Sequence, residues 1–208
     1  MTRFLFFDTE TNGLPLNYKA PVTDLANWPR LVQIGWIMTD EQGNVLDETE
    51  YIVCPDGWTI PKVASDVHRI TQEKAEYEGY KAGTVLDEFR EALLDCDYVV
   101  GHNITFDANI VGAEFLRYEV DPVPPRRRIC TMKESTDYCK LPTKWGYKWP
   151  TLTELHTILF GTAFEEAHDA IADIRATAKC FFELVKLGVI RNTWRDSDGS
   201  HVEDGNDS

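Results

Sequence analysis

Arg3-Phe4-Leu5-Phe6-Phe7-Asp8-Thr9-Glu10 is the stretch whose reading decides the fold. A short apolar run rich in aromatic residues and stopped by acid reads as a buried strand that ends at a polar edge. Strand side chains alternate faces, so Asp8 and Glu10, two residues apart, point the same way and converge beside the sheet. Like charges this close raise one another's pKa or require a cation, and hard divalent ions such as Mg²⁺ meet that need with oxygen ligands. An Asp-x-Glu pair on its own is also an ordinary solvated strand end, so its partners further along the chain decide between the two.

Working outward, residues 3–9, 31–39 and 45–53 read as strands, the last two joined by a turn over 40–44, and three consecutive strands predict an antiparallel start. After Pro61 the pattern turns helical, with apolar residues at helical spacing over 84–94. A strand follows at Tyr98-Val99-Val100-Gly101, helices over about 105–118, 131–139, 151–160 and 169–187, and a strand end near Arg128-Ile129-Cys130. The order β-β-β-α-β-α-β-α-α predicts an α/β domain whose mixed, five-stranded sheet is covered by helices.

The 208 residues, 43% hydrophobic, 12% aromatic and 27% charged, suit a globular chain with one sizeable core. The N-terminal apolar run is too short for a secretion signal and no run approaches a membrane span, so a cytoplasmic protein with no membrane partner is expected. Five cysteines, odd in number and without a Cys-x-x-Cys, predict reduced thiols rather than a disulfide framework or a zinc site. The domain is expected over 1–190, followed by an acidic, disordered tail over 191–208 in which Asp196, Asp198, Glu203, Asp204 and Asp207 meet no Lys beyond Trp194. A net charge of −14 argues against a nucleic-acid binder at first sight. With the five tail acids and four metal-site acids set aside, however, about −5 remains, and two bound divalent ions would supply about +4 locally.

Asp107 stands in Gly101-His102-Asn103-Ile104-Thr105-Phe106-Asp107, just beyond the strand at 98–101. Asn103 is expected to cap the following helix, leaving Asp107 in its first turn beside the strand end. A metal ligand suits that place, and so does a helix-dipole aspartate with no further role. The third element is Ala167-His168-Asp169-Ala170-Ile171-Ala172-Asp173. A five-residue step turns a helix by about 140°, so His168 and Asp173 reach one site only if His168 precedes the helix and Asp169 is its N-cap.

Together these elements resemble the DnaQ-like (DEDDh) 3′-to-5′ exonucleases of the ribonuclease H-like superfamily. The resemblance is carried by Phe-Asp-Thr-Glu-Thr-Asn-Gly-Leu at 7–14, His-Asn-x-x-Phe-Asp at 102–107 and His-x-x-x-x-Asp at 168–173. Val67-His68-Arg69-Ile70-Thr71 and Leu152-Thr153-Glu154-Leu155-His156 support it, so that about residues 3–187 are covered. It implies that Asp8, Glu10, Asp107 and Asp173 hold two divalent ions, Mg²⁺ or Mn²⁺, and that His168 is the general base. Phosphodiester cleavage fits this set, because two ions roughly 4 Å apart clamp the scissile phosphate while a near-neutral base takes the proton of water.

The resemblance further implies substrate contacts at Thr9 and Thr11 with the 3′ hydroxyl, Leu14 between the last two bases, and His68 and Asn103 in the same pocket. The expected reaction releases nucleoside 5′-monophosphates from single-stranded ends, DNA in the first instance. RNA trimming or oligoribonucleotide degradation is the alternative, and a catalytically silent nucleic-acid adaptor a third. A polymerase or another replication or repair protein is a further expected partner, in a proofreading or DNA repair role. Residues 138–150 interleave Lys140, Lys144 and Lys148 with Tyr138, Trp145, Tyr147 and Trp149. This is either a stacking platform for a single strand or a loop closing its aromatics over the core. Arg126-Arg127-Arg128 is read as a solvated basic loop.

Overall fold

The structure, a computed structural model, describes residues 1–164 and 170–194. Five strands form one sheet: β1 (Phe4–Thr11), β2 (Leu31–Thr39), β3 (Val45–Ile52), β4 (Tyr98–Gly101) and β5 (Arg127–Cys130), in the order β3-β2-β1-β4-β5. The first three run antiparallel, while β4 and β5 add in parallel, so the mixed five-stranded sheet expected of a ribonuclease H-like domain is present. Parallel addition needs a crossover, and α3 (Ala82–Asp95) and α4 (Ile104–Arg117) provide it on one face. The other face is covered by α7 (Leu152–Phe160) and α8 (Ala170–Lys186).

The alternation of β1 sorts the core into two halves. Leu5 and Phe7 pack with Phe89, Val99, Ile104 and Ile110 on the α3/α4 side. Phe4 and Phe6 pack with Leu155, Ile174, Phe181 and Leu184 on the α7/α8 side. Both faces are apolar, which is why β1 and β2 read as continuous apolar runs rather than as alternating ones. Edge strand β3 instead exposes its acids, and Glu48 pairs with Arg175 of α8.

Several local expectations are corrected. Two short helices that the sequence reading did not separate, α1 (Lys62–His68) and α2 (Gln72–Glu78), follow Pro61, the second capped by Thr71 Oγ1 accepting from the Lys74 amide. The helix expected over 131–139 is broken at Ser135 into α5 (Thr131–Glu134) and α6 (Thr136–Cys139). The Ser135 hydroxyl there donates to the Thr131 carbonyl at 2.7 Å, the back-bonding that bends helices at buried serines. Asn103 sits at the N-cap of α4 but makes no side-chain cap; its φ of 70° places it in the left-handed region that asparagine tolerates.

Arg126 is half-buried and tied to the body rather than part of a free basic loop. Its guanidinium donates to the Leu93 and Leu94 carbonyls at the C-terminal end of α3, while that of Arg127 reaches the Tyr98 hydroxyl. Residues 191–194 of the expected tail belong to the packed body: Trp194 is buried against Phe4, Tyr98 and Phe181. All five cysteines are free thiols, and among the described residues no helix is long and apolar enough to cross a membrane.

Candidate active site

β1 carries two of the acids past the end of its apolar run, and the same alternation that divides the core places Asp8 and Glu10 on the α8 side. Asp173 lies in the first turn of α8. Carboxylate oxygens of Asp8, Glu10 and Asp173 all lie within 4.8 Å of one another. The close approach of α8 has a backbone cause. Gly35 of β2 is the cross-strand partner of Asp8, and a Cβ built there would meet Ile174 Cδ1 at 3.0 Å and Ile171 Cδ1 at 3.2 Å. Glycine at this position lets the helix lie against the strands that carry the acids.

Asp107 arrives from the opposite side. It stands in the first turn of α4 and is 3% exposed, and its Oδ1 accepts from the Thr9 amide at 3.1 Å and the Thr9 hydroxyl at 2.7 Å. Thr9, between the two metal-type acids in sequence, therefore points to the other face of β1 and fastens the fourth acid. Its hydroxyl proton is committed to Asp107, and that of Thr11 goes to the Gly13 carbonyl at 2.7 Å.

The electrostatics match four acids gathered in one place. Burial raises the Asp8 carboxyl well above its ordinary range, and Asp107, Asp173 and Glu10 push it further. Burial also lifts Asp107 to about 7, against the lowering effect of its bonds from Thr9 and with Asp173 adding repulsion. Such a cluster is costly without cations, and its donor set of hard carboxylate oxygens fits Mg²⁺ or Mn²⁺.

Of the remaining predicted residues, Leu14 is 71% exposed beyond β1. His68 is buried at the end of α1, its Nδ1 accepting from the Ile70 amide at 3.2 Å. Its Nε2 is buried with no hydrogen bond of good geometry among the described residues, beside the Thr11 backbone. Burial lowers its pKa, so the ring is held neutral. His168 and Asp169 lie outside the described residues.

Two supports went unseen in the sequence. Glu114 lies seven residues after Asp107, two turns on and on the same face of α4. It is buried and accepts from Arg30 Nε at 2.8 Å, Arg117 Nη1 at 2.7 Å and the Leu31 amide at 3.2 Å, tying α4 to the start of β2. An acid at helical spacing from Asp107 on an otherwise apolar face was the available signal. His102 is the second support: burial drives its pKa down to about 4. Since the Pro150 carbonyl can only accept, neutral His102 donates to it from Nε2 at 2.9 Å and takes the Thr131 hydroxyl on Nδ1 at 3.0 Å.

An exonuclease family model, RNase T, matches residues 5–181. The chain belongs to this exonuclease family. The DnaQ-like membership read from three motifs is thus borne out, and the relatives agree. The chain is 27% identical over 185 residues to a PolC-type DNA polymerase III of Pediococcus pentosaceus, covering 88% of this chain and 11% of that protein. It is 26% identical over 186 residues to the 3′-5′ exonuclease DinG of Staphylococcus epidermidis, covering 88% and 18%. The chain thus spans under a fifth of the length of these curated relatives.

Among solved structures, E. coli Exonuclease I in complex with a dT13 oligonucleotide superposes with a TM-score of 0.71 at 24% identity, covering 89% of this chain and 41% of that one. Exonuclease I from Methylocaldum szegediense gives 0.71 at 22%, covering 93% and 41%. At these identities the likeness shows a shared exonuclease fold.

Proposed function

We propose that this exonuclease-family domain is a metal-dependent 3′-to-5′ exonuclease that releases nucleoside 5′-monophosphates from single-stranded DNA ends. The observation that carries the reading is the triangle of Asp8, Glu10 and Asp173 oxygens within 4.8 Å, with Asp107 held beside it by Thr9. Asp8, whose carboxyl the three other acids all push up, would hold divalent ions together with Glu10, Asp173 and Asp107. Bound there, the ions lower the pKa of water and neutralise charge on the scissile phosphate.

The chain's own residues divide the remaining work. His168, two residues before α8 begins, accepts the proton of the attacking water as its oxygen bonds to phosphorus. The bond from phosphorus to the 3′ oxygen breaks, and that oxygen leaves with a proton taken from solvent water. Thr9 and Thr11, each with its hydroxyl proton engaged inside the protein, retain lone pairs that accept from a 3′ hydroxyl. Leu14 offers its exposed side chain between the last two bases, and His68 and Asn103 line the same pocket. Dependence on Mg²⁺ or Mn²⁺ is supported by the hard donor set and by the raised pKa values of Asp8 and Asp107. DNA as substrate is supported by the relatives named as a DNA polymerase and by the oligonucleotide bound to Exonuclease I.

The test is an end-labelled single strand of DNA, the matching duplex and the matching RNA, each with Mg²⁺ or EDTA, beside Asp8→Ala and His168→Ala. Metal-dependent shortening from the 3′ end, fastest on single-stranded DNA and reduced at least about 10²-fold in both variants, is expected. No such shortening, or a fully active Asp8→Ala, overturns the reading. RNA shortened faster than DNA transfers the assignment to RNA trimming.

A further inference from the structure

We propose that residues 138–150 form a single-strand platform that holds the nucleic-acid strand 5′ of the terminal nucleotide. The proposal rests on the nucleic-acid reading above. The segment is a small hairpin, β6 (Pro142–Thr143) paired with β7 (Gly146–Tyr147), with Lys144 and Trp145 at its tip. Gly146 turns the chain back with a φ of 128°, and Lys148 donates its amide to the Leu141 carbonyl, extending the ladder by one bond.

Its side chains face outward. Trp145 is 88% exposed and Trp149 60%, with Tyr147 and Tyr138 also exposed, and every residue from Pro142 to Trp149 lies at the surface. None of these aromatics joins the hydrophobic core, so the alternative of a loop closing its rings over the core is set aside. Four aromatic rings in one short segment, left in water, form the kind of patch that marks a binding surface.

The base of the hairpin is fixed at the catalytic end of the sheet. β4 runs parallel to β1 with Val100 beside Phe6, so the chain passes from Gly101 to His102 level with Phe7 and Asp8. His102 then bonds the carbonyl of Pro150, the residue next to Trp149, at 2.9 Å. Lys148 pairs with Glu154 of α7 at 2.5 Å and holds the returning strand to the body. An isolated two-stranded hairpin is marginal in water, and these two ties are what hold it in place. Ligands of open α/β sheets bind beyond the carboxyl ends of the parallel strands, the region from which this platform projects.

The chemistry selects the occupant. Three lysines are interspersed among the four rings in a chain of net charge −14, and Lys144 Nζ lies 5.1 Å from the Trp145 ring centroid. Cations between stacking faces suit a flexible polyanion with unpaired bases, whereas an apolar protein partner gains nothing from the lysines. A duplex keeps its base faces stacked internally, so the surface selects single strands.

The experiment measures strand binding in EDTA, by quenching of tryptophan fluorescence, and cleavage kinetics in Mg²⁺. The 208-residue chain is compared with Trp145→Ala, Trp149→Ala and the pair Lys140→Glu with Lys144→Glu, using a long oligothymidylate and a trinucleotide. Expected are a loss of about tenfold in affinity for the long strand per ring removed, and a rise in KM that abolishes the advantage of the long strand over the trinucleotide. The lysine pair should flatten the dependence of log K on log salt by about 0.7 per lost phosphate contact. Wild-type affinity and length dependence in all variants overturn the platform. So does a loss of self-association in light scattering with strand binding unchanged, which would assign the rings to a second copy. Failure of wild type to shorten either substrate in Mg²⁺ overturns instead the exonuclease reading on which the platform rests.

Discussion

Burial and neighbouring acids raise the pKa of both Asp107 and Asp8, so each is costly to ionise when no cation is near. With a folded pKa of about 7 against an ordinary 3.8, Asp107 keeps its proton where the unfolded chain has lost it. The folded state therefore binds more protons across that window, and stability of the metal-free protein falls as pH rises from about 4 to about 7. Metal binding displaces the same protons, so the gain from Mg²⁺ grows over that window. Thermal melts in EDTA and in Mg²⁺ across this range should diverge with rising pH, and parallel curves would contradict the assignment. Asp8→Asn removes the charge that three neighbours repel. It should raise the metal-free Tm by about 2–4 °C, the equivalent of roughly 1 kcal/mol in a domain this size, and abolish the increment from Mg²⁺. A lower Tm in EDTA would show that Asp8 stabilises the fold. At this scale the acids were legible in sequence because they stand where apolar periodicity expects no carboxylates. Thr9 as the clamp on Asp107 was not, because its partner is 98 residues away in sequence.

Strand β1 and helix α8 are the elements that make the site, and Gly35 governs the gap between them. A Cβ at position 35 presses on Ile174 and Ile171, so Gly35→Ala should be tolerated after small side-chain shifts, whereas Gly35→Val must push α8 off the sheet. Overpacking of this kind costs about 1–3 kcal/mol. Because Asp173 rides on α8, Gly35→Val should also weaken Mg²⁺ binding at least about tenfold, as titration calorimetry will show. A stable Gly35→Val with normal metal affinity would remove Gly35 from this role. Long continuous apolar runs exposed β1 and β2 to sequence reading, and the helical period of a buried stripe exposed α4 and α8. The breaks and short elements escaped it: α5 ends at Ser135 through a hydroxyl-to-carbonyl bond, and the hairpin at 142–147 has strands too short to show a period.

The whole molecule is a sheet between two apolar halves, closed at the end of the described chain by Trp194. That ring lies 5.8 Å from Phe181 in a stacked pair and 4.8 Å from Phe4 at its edge. Trp194→Ala should cost about 3–5 kcal/mol in urea unfolding, the range for a large ring removed from a core. A loss below about 1 kcal/mol would show that the C-terminal end merely rests on the body. Composition had suggested an acidic tail from residue 191, yet burial of one aromatic outweighs the polar residues around it, and only contact with Phe4 and Tyr98 reveals that. By itself the sequence determined the fold class and the candidate acids, since local period and the spacing of Asp8, Glu10, Asp107 and Asp173 are properties of the chain as written. The tertiary structure alone decided which side chains hold those acids. Thr9 on Asp107, Gly35 beneath α8, Arg30 on Glu114 and His102 under the hairpin are all pairings between segments far apart in sequence. No local pattern encodes them, because their energies arise only when folding brings the partners into contact.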